Sequence, residues 1–102
     1  MNGQKQVKVA GSVGPYGACL AELPSAEFHG KYVDAESPSY VNDQQLIEWH
    51  TPRIRTLVDC GVDFLAIETF PALTEALCVL QILRQVAPEQ PAWISFSCKV
   101  QL

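Results

Sequence analysis

The chain has no excess of positive charge, no apolar run long enough to cross a bilayer, no CxxC pair, no internal repeat and no low-complexity tract. Each absence removes a class of function. Lys and Arg number 7 against 11 Asp and Glu, a formal net charge of -4. A net acidic chain without a basic stripe argues against a nucleic-acid partner. It also offers nothing to an anionic membrane surface. The longest apolar stretches fall far short of a membrane-spanning helix. The start, Met1-Asn2-Gly3-Gln4-Lys5-Gln6, is polar and lacks the apolar core of a signal peptide, so cytoplasmic residence is the expectation. The 4 cysteines, Cys19, Cys60, Cys78 and Cys98, have no secretion signal to accompany a disulfide framework. They read as free thiols in or near a core.

What remains is a chain of 102 residues, 48% hydrophobic, enough for one small domain with a real core. Gln6 to Val13 reads as a strand, with β-branched Val7, Val9 and Val13. Gly11, Gly14 and Gly17 follow at every third position. This is not the GxGxxG dinucleotide fingerprint, and it predicts a turn whose backbone passes close to something. Residues 18 to 41 form a long irregular segment, acidic through Glu22, Glu27, Asp34 and Glu36. Connections of that length inside compact domains are usually functional. Its aromatics, Phe28, Tyr32 and Tyr40, predict that it folds onto the surface.

A helix is predicted from Asp43 to Cys60, with Asn42 as N-cap, Gln45 completing a capping box and Gly61 ending it. Leu46, His50, Ile54, Leu57 and Val58 share one stripe. Pro52 lies inside and is expected to kink or split this helix. Val62 to Ile67 reads as a strand covered on both faces. A second helix is expected from Pro71 to Val86, with Leu73, Leu77, Leu80 and Leu83 as its core stripe and Ala76 and Val79 beside it. Ala87 to Pro91 breaks it, and Ala92 to Ser97 is a third strand. The order β-loop-α-β-α-β predicts the α/β class: parallel β-strands joined by right-handed crossover helices.

Glu68 and Thr69 stand at the mouth of an otherwise apolar strand, where polar groups are costly without a use. Two readings are open for each. Glu68 faces a substrate or sits near the N-terminus of the following helix, stabilised by its dipole. Thr69 is a ligand group or an N-cap. His50, on the apolar stripe, reads as a packed, hydrogen-bonded histidine. His29 reads as exposed, and Arg53 and Arg55 as decoration of a solvated face. Tyr16 is either a pocket wall or a surface cover.

Five segments then carry a resemblance: Val9 to Ala18 (VAGSVGPYGA), Glu27-Phe28-His29-Gly30 with Tyr32, His50-Thr51-Pro52-Arg53, Gly61 to Pro71 (GVDFLAIETFP) and Trp93-Ile94-Ser95-Phe96. In that order and spacing the chain resembles the homocysteine S-methyltransferase family, nearest the branch using S-methylmethionine or S-adenosylmethionine. The resemblance runs from about Val7 to Phe96 and implies a (β/α)8 TIM barrel with a catalytic zinc that activates the homocysteine sulfur. It implies substrate binding by Glu68, with Thr69, Ser12 and Gly14 lining the same mouth, and the Gly11 to Gly17 turn approaching substrate or donor. The family's zinc cysteines belong to an asparagine-cysteine strand end and a glycine-glycine-cysteine-cysteine motif that do not occur here. No metal or catalytic residue is therefore assigned, and the zinc ligands are expected outside this chain. The loop Leu20 to Glu27 is longer than the family's usual turn, so the donor-side lid is expected to differ.

Residues 1–102 are accordingly read as a partial homocysteine-binding domain, truncated at both ends: about three strands and two main helices of a barrel that needs about 250 residues. The partners expected are homocysteine and a methyl donor, and the isolated chain is expected to be inactive. The rival readings are a non-enzymatic truncated isoform or interaction fragment, and a small parallel α/β nucleotide-binding domain.

Overall fold

The structure, a computed structural model, describes residues 7–20 and 25–97. The polar start (residues 1–6), the middle of the extended loop (residues 21–24) and Cys98 lie outside the described residues.

Three strands, β1 (Ala10–Val13), β2 (Phe64–Phe70) and β3 (Ala92–Phe96), form one sheet in the order β1-β2-β3. Both pairings are parallel, with Ser12 opposite Ala66 and Ala66 opposite Trp93. The α/β expectation of parallel strands and crossover helices therefore holds. The one-turn helix α1 (Ala26–His29) lies in the first connection. The long helices α2 (Asp43–Asp59) and α3 (Leu73–Val86) form the crossovers and pack on one face of the sheet. Between them lie Val13, Leu65, Ile67 and Phe70 from the strands, with Ile54, Val79 and Ile82 from the helices. A smaller core of Ala26, Tyr32, Val41, Leu46 and Cys78 sits beneath the first connection.

β1 is shorter than predicted, because the Val9 N–H is taken by Asp63 Oδ2 at 2.7 Å and the ladder begins at Ala10. Helix α2 starts on the predicted capping box: Asn42 Oδ1 accepts from the Gln45 N–H (2.9 Å) and Gln45 Oε1 from the Asn42 N–H (3.0 Å). It ends at Gly61, whose φ of 79° is the left-handed conformation that suits glycine. Pro52 does not split α2, which runs through it as one helix. Donors take up carbonyls on either side of the gap: the Thr51 hydroxyl donates to the Ile47 carbonyl (2.6 Å) and Arg53 Nη1 to that of Trp49 (2.7 Å).

Helix α3 corrects part of the predicted stripe, while Ala76, Val79 and Leu83 are buried as expected. It begins at Leu73, with Ala72 as N-cap, and buries Glu75, Ala76, Cys78, Val79, Ile82 and Leu83. Leu73 and Leu77, expected in the core, are 63% and 53% exposed. The helix is apolar on more than one side, so periodicity alone allowed two stripes. The crossover geometry selects the one carrying Val79 and Ile82, while its neighbouring face meets α2.

β2 also runs past its predicted end, through Glu68 and Thr69 to Phe70. The register with β3 slips between Ile67 and Phe70, and Thr69 adopts a φ of 61° within the slip. Such a bulge re-aims the side chains around it. Phe70 returns to the core, whereas Glu68 and Thr69 are exposed.

Candidate functional site

Ser12, Ala66 and Trp93 pair across the sheet and so share the face opposite the helices. Glu68 lies two residues beyond Ala66 and meets Trp93 there: the indole Nε1–H donates to Glu68 Oε1 at 3.0 Å. The Trp93 ring leans on Phe64 at 4.8 Å, which holds the donor in place. Glu68 Oε2 has no partner among the described residues. The result is a carboxylate on an exposed residue at the strand-exit end, fixed through one oxygen. Beside it, Thr69 donates its N–H to Ser95 Oγ at 3.0 Å. A β-branched residue at positive φ costs about 1–3 kcal/mol, and such strain concentrates at functional positions.

Neither residue is the N-cap of α3. The N-cap of α3 is Ala72, with no side-chain cap hydrogen bond. Glu68 is spent on Trp93 instead.

Ser12 and Gly14 lie around the corner from Glu68. They line a groove of about 630 Å³ along the free side of β1, with Pro15, Cys19, Trp49 and Arg53 among its other walls. Glu68 and Thr69 are not in that lining. The four candidate residues thus sit at one end of the sheet but not in one cavity. Arg53 lies exposed over the Trp49 ring, 4.0 Å from its centre. Tyr16 is absent from the groove lining and covers other aromatics, with ring centres 5.1 Å from Trp49 and 5.8 Å from Tyr32.

The glycine turn does pass close to something, and that something is this chain. A Cβ on Gly17 would lie 2.5 Å from Tyr32 Cε1 and 2.6 Å from the Ala26 carbonyl, whereas one on Gly14 meets nothing within 4 Å. Gly17 is therefore the seat on which α1 and Tyr32 rest, and what opens there is a single 3-10 turn, Tyr16–Cys19, not a long helix whose N-terminus would cradle phosphate. This geometry disfavours the nucleotide-binding alternative.

Beneath the turn is a buried polar cluster whose centre the sequence did not disclose. The Glu75 carboxylate is wholly buried and accepts three hydrogen bonds. Tyr16 donates its backbone N–H to Oε2 at 2.7 Å, His50 Nε2 lies 2.7 Å from the same oxygen, and the Tyr32 hydroxyl donates to Oε1. A carboxylate accepts, so the imidazole donates through Nε2. Its Nδ1 is buried and has no hydrogen-bond partner among the described residues. His50 is the packed, hydrogen-bonded histidine that its place on the apolar stripe predicts. Burial, followed by the hydrogen bond and charge of Glu75, pushes the Tyr32 phenol well above its ordinary range. Burial, then the charge of Asp43, pushes the Cys78 thiol up to about 11.

These side chains do not fit a zinc ion. Among the described residues, no three His, Cys, Asp or Glu side chains form a group that could hold a metal. His50 Nε2 and Glu75 are committed to one another; Cys19 and Cys60 are exposed and Cys78 is buried. No helix among the described residues is long and apolar enough to cross a membrane.

Comparison with known proteins gives this geometry a context. The profile of the family described as Homocysteine S-methyltransferase matches residues 1–102. The homocysteine S-methyltransferase YbgG of Bacillus subtilis is 44% identical over 91 residues, which are 89% of this chain and 26% of that protein. A selenocysteine methyltransferase of Astragalus bisulcatus is 38% identical over 96 residues, 94% of this chain and 26% of its own length. The crystal structure of the homocysteine methyltransferase MmuM from Escherichia coli, oxidized form, matches with a TM-score of 0.77 and 36% identity, covering 91% of this chain and 28% of that one. The chain thus spans about a quarter of the length of the curated relatives it matches. With a profile match along its whole length, the chain belongs to the homocysteine S-methyltransferase family.

Proposed function

We propose that this chain forms part of the substrate-binding region of a cytoplasmic methyltransferase, one that moves a methyl group from S-methylmethionine or S-adenosylmethionine to the sulfur of homocysteine, giving methionine. In this reading the three strands are a slice of a (β/α)8 barrel, with the face bearing Ser12, Glu68 and Trp93 turned to its interior. Catalytic sites of such barrels lie at the strand-exit end, where Glu68 and Thr69 stand. The observation that carries the reading is the Glu68 carboxylate, on an exposed residue and held by Trp93 through one oxygen. Such a group accepts a charge-assisted hydrogen bond from the ammonium of an amino acid. Ser12 and Thr69 add neutral hydrogen-bonding groups, and Gly14 adds backbone without side-chain bulk. The part of the chain described here binds and orients. The zinc implied by the family finds no donor set among the described residues, and this reading places its ligands elsewhere in the enzyme.

Titration of L-homocysteine into the chain, followed by amide NMR, tests the proposal. Shifts are expected at Ser12, Glu68, Thr69 and the Trp93 indole, with the affinity of Glu68→Gln lower by roughly tenfold. No shift at those positions would end the assignment. The chain alone is expected to form no methionine from homocysteine and S-methylmethionine; a measurable rate would refute the placing of the metal ligands elsewhere.

A further inference from the structure

We propose that Glu75 is a positioning residue, whose buried carboxylate sets the place of the 3-10 turn Tyr16–Cys19 and so the wall next to Ser12 and Gly14. The turn is held partly by packing: the Tyr16 ring meets Trp49 and Tyr32, and Gly17 lies against Ala26 and Tyr32. Within it, the Ala18 N–H to the Pro15 carbonyl (3.2 Å), the Leu20 N–H to the Gly17 carbonyl (3.1 Å) and the Cys19 thiol to the Tyr16 carbonyl (3.0 Å) close locally. These local bonds would survive if the whole turn swung as a body. A hydrogen bond that leaves the turn for the long helix α3 is the Tyr16 N–H on Glu75 Oε2. The same carboxylate holds Tyr32, against which Gly17 packs, and His50 of α2. One group on α3 therefore fixes the turn from its first residue and from the side chain beneath it.

A carboxylate suits this task better than an apolar side chain of the same size. It is fully buried, and three donors converge on it. A buried group with that arrangement has one low-energy place, because any displacement strands a donor. The consequence for binding rests on the reading that Ser12 and Gly14 belong to the substrate rim. The consequence for the turn does not.

Residue-resolved amide exchange on the chain tests the proposal. Glu75→Ala removes the acceptor of the Tyr16 N–H. Glu75→Gln keeps an oxygen for Tyr16 and His50, and its NH2 can donate to the Tyr32 hydroxyl oxygen. Glu75→Ala is expected to speed exchange at Tyr16, Ala18 and Leu20 by roughly tenfold or more relative to Leu65 and Ile67. Glu75→Gln is expected to stay near wild type. A second pair avoids altering the core: Tyr16→Pro and Tyr16→Ala both lose the aromatic ring, but only proline loses the N–H. Proline fits the first position of a helical turn, so faster exchange at Ala18 and Leu20 in Tyr16→Pro than in Tyr16→Ala is expected. Equal rates in Glu75→Ala and Glu75→Gln, or acceleration spread evenly over the core amides, overturn the proposal. A homocysteine titration of the wild type bears on the substrate reading alone, so the two failures are told apart.

Discussion

Replacing Gly17 by alanine tests the packing beneath the strand-exit turn. The added methyl would lie 2.5 Å from Tyr32 Cε1 and 2.6 Å from the backbone of Ala26. Carbon atoms in ordinary contact stand about 3.5–4.0 Å apart, so the overlap is close to 1 Å on two sides. Tyr32 is fully buried and cannot rotate away without dropping its bond to Glu75. Overpacking of this kind costs about 1–3 kcal/mol, and an unmet buried acceptor costs about 1–3 kcal/mol more. Gly17→Ala should therefore lose about 2–6 kcal/mol. Gly14 is its control: it belongs to the same motif, has open space around its Cβ position and lacks a positive φ. Gly14→Ala should change stability by no more than about 0.5 kcal/mol. Gly11→Ala falls between, since its neighbours at 3.2 Å are the flexible ends of Leu57 and Leu65. Urea unfolding followed by the fluorescence of Trp49 and Trp93 gives the three midpoints. Equal midpoints for the Gly17 and Gly14 variants would refute the account of the turn.

Two further predictions concern strain and protonation. Thr69→Gly relieves a φ of 61°; strain relief of about 1–3 kcal/mol less the added unfolded-state entropy of glycine leaves a gain of about 1 kcal/mol. Its urea midpoint should rise while homocysteine binding weakens, and a lower midpoint would show that the backbone is not strained there. Stability should also fall in alkali. Tyr32 and Cys78 hold their protons more tightly when folded, so the stability they contribute is complete below their unfolded values and lost as pH rises through the folded ones. The decline from Cys78 should span pH 9.0 to about 11 and vanish in Cys78→Ala. The decline from Tyr32 begins above pH 10.0 and vanishes in Tyr32→Phe. Urea midpoints of each variant against wild type from pH 8 to 11 check the sign, and a wild-type midpoint that climbs with pH contradicts it.

Much of the fold was legible because short-range signals and topology agreed. Asn42 with Gln45 marked the start of α2 and Gly61 its end, and both act through groups within a few residues. The alternation of apolar strands with helices fixed the parallel order. Legibility failed where a third element chose between local options. The two apolar stripes of α3 are equally periodic, and only docking on the sheet separates Val79 and Ile82 from Leu73 and Leu77. The bulge at Thr69 depends on Ser95, which stands 26 residues away. At the site, Glu68 was conspicuous as an acid ending an apolar run, but its Trp93 partner was not, because Trp93 reads equally well as a strand core residue. Glu75 gave no sign at all. An acid in the first turn of a helix looks like a solvated charge favoured by the dipole, and the place of His50 on an apolar stripe was the only hint that a buried partner existed.

The span of the Glu75 bonds sets an order of events during synthesis. Its partners precede it by 59, 43 and 25 residues at Tyr16, Tyr32 and His50. None of these bonds can form until residue 75 has left the ribosome, so the nascent turn must wait for the start of α3 before it acquires its anchor. Long closures of this kind are slow. Until then, Tyr32 and the glycine beneath it have no fixed geometry to hold. The strand-exit surface is therefore completed late, by a residue far along the chain from the turn it secures.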